Sequence, residues 1–327
     1  MRIGVVGRVE QDMFAANIIE AARDTGHIAV PLGPARIRHK LLITRGLTDL
    51  SLQALPRLDQ WAQRRIVRTA ADAACELVIN TDAHLTPESV AGLRRIGARV
   101  ALWFPDAMVN LGRALMFLAP YDALFFKEPH LVDRLRAMLD LPVYYLPQAC
   151  NPRCHRPMVP AGTEPYLVIA GNMYPSRLRL LERLIAKGIP VRAYGSGIPR
   201  WSGNSPIHGI HAGRPIWTEE KASIFRSAAG VLNNLHPAEV EGVNLRLFEA
   251  AGSGAAVLTE FRPTVPELFR PGEEVLAFRD FGELVEQASR VLTEQGLTAK
   301  LGDAATRRAH RDHTIARRIE TIIEKVT

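Results

Sequence analysis

EGVNLRLFEAAGSGAAVLTE, residues 241–260, is the stretch on which the reading of this chain turns. Asn244 is a favoured N-cap, so a helix starts there. Gly252 and Gly254 let that helix turn sharply into AAVLTE, a plain apolar strand. Two carboxylates, Glu241 and Glu249, stand eight residues apart, one before the helix and one in its second turn. The amides of Val243 to Arg246 lack intrahelical partners. Together with the positive end of the helix dipole they form an anion site. An acid on either side of a bound pyrophosphate could accept hydroxyl hydrogen bonds, one from a ribose and one from a sugar. That is the chemistry of a nucleotide-sugar site.

The same helix-and-strand rhythm runs outward in both directions. RIGVVG (2–7), HIAVPLG (27–33), ELVINT (76–81), ARVALWFPD (98–106), YDALFFK (121–127) and PVYYLPQ (142–148) read as strands. Helical patterns lie between them at 12–26, 52–75, 86–97, 111–119 and 129–139. NPRCHRPMVPAGTEP (151–165) holds four prolines and no periodicity, and reads as a linker. The alternation restarts with YLVIAGN (166–172) and runs through PVRAYGSG (190–197), AGVLNNL (229–235) and EEVLAFRD (273–280) to three final helices. Alternation of this kind specifies parallel sheets with crossover helices, so the fold class is α/β. The expected domains are 1–155, 156–310 and a C-terminal helix, 311–327, packing back on the first. Ligands of such sheets bind at the carboxyl ends of the strands.

Length, charge and cysteines limit the alternatives. A chain of 327 residues suggests two domains. No apolar run reaches a membrane span, and the N-terminus lacks the pattern of a signal peptide. Cys75, Cys150 and Cys154 form no disulfide framework, and the expected location is cytoplasmic. Cys154 and His155 are adjacent, but no second pair completes a zinc site. The net charge of +7 is spread over Arg36, Arg38, Lys40 and Arg45, over Arg64, Arg65 and Arg68, and over the C-terminal helices. It allows peripheral contact with an anionic membrane or an acidic acceptor. No nucleic-acid-reading motif accompanies it, so no nucleic-acid partner is expected. GVVGRVEQ (4–11) fails the dinucleotide fingerprint, and a P-loop is missing.

The E-x7-E at 241–249, followed by AAGSGAAVLTE, resembles the donor signature of retaining, two-domain family 4 glycosyltransferases. The wider pattern is similar to the glycosyltransferase family typified by the spore-maturation protein CgeB. ALWFPDA (101–107), YYLPQACNP (144–152), VIAGNMYPSR (168–177), VLNNLHP (231–237) and HRDHTIARRI (310–319) occur in the family's order. The resemblance runs from about residue 98 to the C-terminus. It implies the GT-B fold, two Rossmann-like domains facing across a cleft. It also implies a hexosyl-type transferase using a nucleotide-diphosphate sugar, with a UDP-sugar expected first. No cofactor is implied, and no metal, in keeping with a sequence that has no D-x-D motif.

On this resemblance Glu249 binds donor ribose hydroxyls and Glu241 binds hydroxyls of the transferred sugar. Gly242, Val243 and Asn244 hold phosphate. Asn172 and Arg177 lie where a polar and a basic group meet the diphosphate, with Arg246 a second cation in place of the lysine of many relatives. Tyr194, Gly195, His211 and Gly213 are expected near the base. Asp106, ending its strand, accepts the acceptor's proton or merely orients the acceptor. Gly7, Arg8 and His84 are acceptor-side candidates. The acceptor itself, a small molecule, glycan or protein, is not specified. A catalytically silent sugar-nucleotide-binding protein and a GT-B epimerase stay open beside the transferase.

Overall fold

The computed structural model describes residues 1–36, 56–107, 110, 115–158, 164–199 and 202–327. Arg38, Lys40 and Arg45, the start of the helical pattern at 52–75, residues 111–114 of the pattern at 111–119 and residues 159–163 of the linker reading lie outside them. The chain divides into two compact units, Met1–Leu146 with Ile315–Thr327, and Pro147–Thr314.

The first unit is built on six parallel strands in the order β2-β1-β3-β4-β5-β6. They are β1 (Arg2–Val6), β2 (Ile28–Gly33), β3 (Leu77–Asn80), β4 (Arg99–Phe104), β5 (Ala123–Phe126) and β6 (Val143–Tyr145). β3 and β5 are buried at every position, as strands covered on both faces must be. The crossovers carry α1 (Phe14–Asp24), α2 (Pro56–Asp72), α3 (Pro87–Arg95) and α4 (Pro129–Leu139). Thr86 caps α3 by accepting from the Ser89 amide, with Pro87 in the first turn. Between β4 and β5, residues 115–117 form a single 3-10 turn.

The second unit has five parallel strands in the order β11-β10-β9-β7-β8. These are β7 (Glu164–Ala170), β8 (Val191–Tyr194), β9 (Ala228–Asn233), β10 (Val257–Glu260) and β11 (Leu276–Phe278). Its helices are α5 (Pro175–Ala186), α6 (Thr218–Ser227), α7 (Leu245–Gly252), the short α8 (Val265–Leu268), α9 (Phe281–Thr293) and α10 (Leu297–Asp312). The last helix, α11 (Ile315–Val326), belongs to the first unit, where it packs on α1, β4 and β5. No described helix is long and apolar enough to cross a membrane.

The stretch 151–165 differs from its reading as a linker. Asn151, Cys154 and His155 are buried, in a turn closed by hydrogen bonds from the Cys154 and His155 amides to the Asn151 carbonyl. Glu164 and Pro165 already belong to β7. The described part of this run is anchored in the second unit by Asn151, Cys154 and His155, while Pro152, Arg153, Arg156 and Pro157 between and beyond them are exposed.

Candidate functional site

In the second sheet β7 runs onward to β8 on one side, while β9 lies on its other side. The carboxyl ends of β7 and β9 therefore form a topological switch point, where loops diverge and leave a crevice. The loops after β7 and β8 touch through their backbones. The Gly171 amide donates to the Tyr194 carbonyl at 2.9 Å. A Cβ on Gly195 would run into the Gly171 carbonyl, so no other residue fits there without moving a loop. The Ser196 hydroxyl meets the Asn172 side chain at 3.1 Å.

These loops wall a cavity of about 220 Å³ that also takes in Trp217, before α6, and Arg246, on α7. Asn172, Tyr194, Gly195 and Arg246, expected from sequence as donor-binding residues, thus line one cavity. His211 and Gly213 form a tight turn beside Tyr194, the Gly213 amide donating to His211 Nδ1 at 2.9 Å. They are not among the residues lining the cavity. Burial lowers the His211 pKa, partly offset by the backbone at Ser196.

Asn244 caps α7, its side chain accepting from the Arg246 amide at 3.0 Å. One of the four amides expected to stay open is therefore closed by the cap itself. Val243 is buried, and Glu241 is half-buried, its carbonyl accepting from the Thr264 hydroxyl at 2.6 Å. Gly242, between them, is buried as well.

Glu249 is 2% exposed. One carboxylate oxygen lies 2.7 Å from Lys221 Nζ, and the other meets the Arg246 guanidinium. Both partners come from the local sequence-to-structure logic. α7 places Arg246 one turn before Glu249, the i,i+3 spacing of helix neighbours. α6 packs beside α7 and delivers Lys221. A third group closes the cluster. His155 Nδ1 accepts from the Asn151 amide at 3.0 Å, which in the neutral ring leaves the proton on Nε2. That atom lies 3.6 Å from Glu249. Sequence reasoning named Arg246 and Glu249 but not Lys221 or His155 as partners. Those two are 28 and 94 residues from Glu249, and only packing brings them together.

Arg177 is also buried, at 7% exposure, where a solvent-facing helix arginine was the alternative reading. It donates to the Asn234 side chain at 2.8 Å, to the Asn172 carbonyl at 2.9 Å and to the Tyr174 hydroxyl at 3.0 Å. Its guanidinium also stacks on the Tyr174 ring at 4.4 Å. It ties the loop after β7 to the loop after β9. A second cavity, of about 310 Å³, lies between α5 and the start of α9, with Arg183, Asn234, Glu260 and Arg279 among its walls. None of the residues singled out from sequence lines it.

In the first unit the acceptor-side candidates lie at the carboxyl edge of its own sheet. Gly7 follows β1, and a Cβ there would collide with Thr81 and Ala15. Arg8 is exposed and pairs with Glu10 at 3.4 Å. Asp82 holds the His84 loop after β3, taking its amide at 2.9 Å with Nδ1 at 3.5 Å. Asp106, just beyond β4, is exposed, and its carboxylate accepts from the Ala107 amide at 2.8 Å.

Residues 177–324 match the model of a family described as glycosyl transferase-like. Solved structures match over the whole length. Sucrose-phosphate synthase from Thermosynechococcus elongatus gives a TM-score of 0.69 at 13% identity, covering 100% of this chain and 99% of that one. The Anabaena protein HepE, solved in complex with UDP and glucose, gives 0.66 at 12%, covering 100% and 99%. The fold is GT-B. AviGT4, a glycosyltransferase involved in avilamycin A biosynthesis, shares this GT-B fold with a TM-score of 0.60 at 16% identity, over 100% and 97% of the two chains. No curated protein sequence matches the chain.

Proposed function

We propose that this protein is a glycosyltransferase that moves a sugar from a nucleotide-diphosphate donor to a hydroxyl acceptor. The observation that carries the reading is the cavity at the ends of β7 and β8, with Arg246 on its wall and the capped start of α7 beside it. A guanidinium and a helix N-terminus suit a diphosphate. Tyr194 and Trp217 offer aromatic surface for a base. The glycosyl transferase-like match over 177–324 covers these segments. UDP comes first among nucleotides because HepE was solved with UDP and with UDP-glucose.

In this reading the donor needs no metal, because Arg246, Arg177 and the α7 amides neutralise the leaving diphosphate as its charge develops. Asn172 and the Gly242–Asn244 backbone complete the phosphate contacts. Both Glu249 oxygens have cationic partners in this structure, so a ribose reaches Glu249 by exchange with Arg246. The exchange frees that guanidinium for the diphosphate. Glu241 takes the sugar hydroxyls. Transfer proceeds with retention, the leaving phosphate accepting the acceptor's proton and Asp106 orienting the acceptor with Gly7, Arg8 and His84.

Thermal denaturation with UDP, GDP, ADP, CMP and dTDP tests the donor site. A ligand at a hundred times its dissociation constant adds about 2.7 kcal/mol. One nucleoside diphosphate should raise Tm, and Arg246→Ala should lose the shift. No shift with any of the five, in folded protein, would overturn the reading.

A further inference from the structure

We propose that helix α2 is a docking face for an anionic lipid bilayer. The two sides of this helix differ sharply. Inward, Gln63, Ile66 and Ala70 are fully buried, and Asp59 is held by Arg36 at 2.6 Å and by Gln63 at 2.9 Å. Outward, Arg57, Trp61, Arg64 and Arg68 are exposed at spacings of four, three and four residues, which places them in one stripe along the axis. Leu58 stands beside them, 42% exposed. Trp61 is 65% exposed, whereas the other described tryptophans are Trp103, fully buried, and Trp217, 42% exposed on the cavity wall of the second unit.

The charge on this stripe is also uncompensated. Elsewhere on the surface some exposed arginines have carboxylate partners, as in Arg156 with Glu219, Arg214 with Glu220 and Arg290 with Glu294, while others, such as Arg134 and Arg307, have none among the described residues, but those others stand singly rather than in a stripe. Among the described residues no acid pairs with Arg57, Arg64 or Arg68. Arg65, between them in sequence, is turned inward onto the Leu32 and Pro34 carbonyls. The basic surface continues onto α3. Gly92 there lets the two helices approach, since a Cβ would meet Val67 at 3.2 Å, and Arg95 beyond it is exposed.

A tryptophan and a leucine set among unpaired arginines match a bilayer interface. The indole sits at headgroup depth, the arginines meet lipid phosphates, and the aliphatic stems cover apolar surface. A soluble polyanion would be served by the arginines alone and gives no use for Leu58. The proposal is independent of the donor reading, because it rests on the first unit and its readout involves no nucleotide.

Co-sedimentation of the full chain with phosphatidylglycerol-containing vesicles, against pure phosphatidylcholine vesicles, tests it. Binding to the anionic vesicles should weaken as salt rises. Arg64→Glu with Arg68→Glu should weaken it at least about tenfold, given the worth of each basic residue near such a surface. Lys300→Glu with Arg307→Glu, two exposed basic residues on α10, makes the same charge change and should leave binding intact. Trp61→Ser should weaken binding at unchanged charge, with Tm showing that each variant folds. The proposal fails if anionic vesicles are not bound, or if the two double variants lose binding equally. It fails also if Trp61→Ser binds as the parent does, or if the chain binds RNA and not vesicles.

Discussion

Glu249 carries a negative charge into a place nearly closed to water, and its neighbours explain how the charge is kept there. Lys221 and Arg246 supply two cations for one carboxylate, and His155 adds a ring nitrogen. Desolvating such ions is costly, and breaking a buried pair costs about 3–5 kcal/mol because the remaining charge is stranded. Glu249→Gln strands two cations and should lose about that much in urea unfolding. Lys221→Met leaves Glu249 with Arg246 and His155 and should lose less. The reverse order would remove Glu249 from the centre of the cluster. His211 adds a pH dependence in the same unit. Burial lowers its pKa from 6.5, so the unfolded chain binds more protons as pH falls through 6.5 toward the folded value. Stability is therefore complete above the unfolded pKa and is lost on acidification. His27, also lowered by burial, contributes in the same direction. His211→Asn should flatten the fall in Tm between pH 7 and 5 relative to the parent protein, about the range over which a histidine titrates.

At the scale of elements, the turn after β8 and the cap of α7 shape the cavity. Gly195→Ala would push a Cβ against the Gly171 carbonyl and part the two loops. Backbone strain of this kind costs about 1–3 kcal/mol. The variant should lower Tm and lose any nucleotide shift, while Gly197→Ala, with open space around it, should do neither. A Gly195→Ala protein that keeps both would show that the contact is not needed. Asn244→Ala removes the α7 cap and should cost about 0.5–2 kcal/mol. The elements themselves were largely legible from sequence. Strands such as LVIN and ALFF are apolar throughout, as parallel strands buried on both faces must be, and Asn244 announces its helix. The Glu249 cluster was not legible. Lys221 looks like any helix lysine in TEEKASIFRS, and His155 lies in a proline-rich run that suggests solvent. Sequence pattern reports which face of an element is apolar, not which buried polar groups will meet across two elements.

For the whole molecule, the chain leaves the first unit after Leu146 and returns to it at Ile315, so the first unit is completed only by a segment that follows the whole of the second. The returning helix contributes Ile315, Ile319, Ile322 and Val326, each 5% exposed or less, packed with α1, β4 and β5. The spacing of these four is that of the α2 stripe, turned inward instead of outward. Full burial of one aliphatic side chain is worth about 1.5–3 kcal/mol, so the four together approach about 6–12 kcal/mol as an upper figure. A whole domain typically holds only about 5–15 kcal/mol of net stability. Ending the chain at Thr314 should therefore unfold the first unit or leave it open to protease. The second unit, Pro147–Thr314, keeps all its strands and its cavity residues. Calorimetry of the truncated chain should show a transition that still responds to the nucleotide, with the transition of the first unit lost. Loss of both would mean that the second unit depends on the first for its stability. Retention of both would mean that α11 covers the first unit without being needed to hold it together.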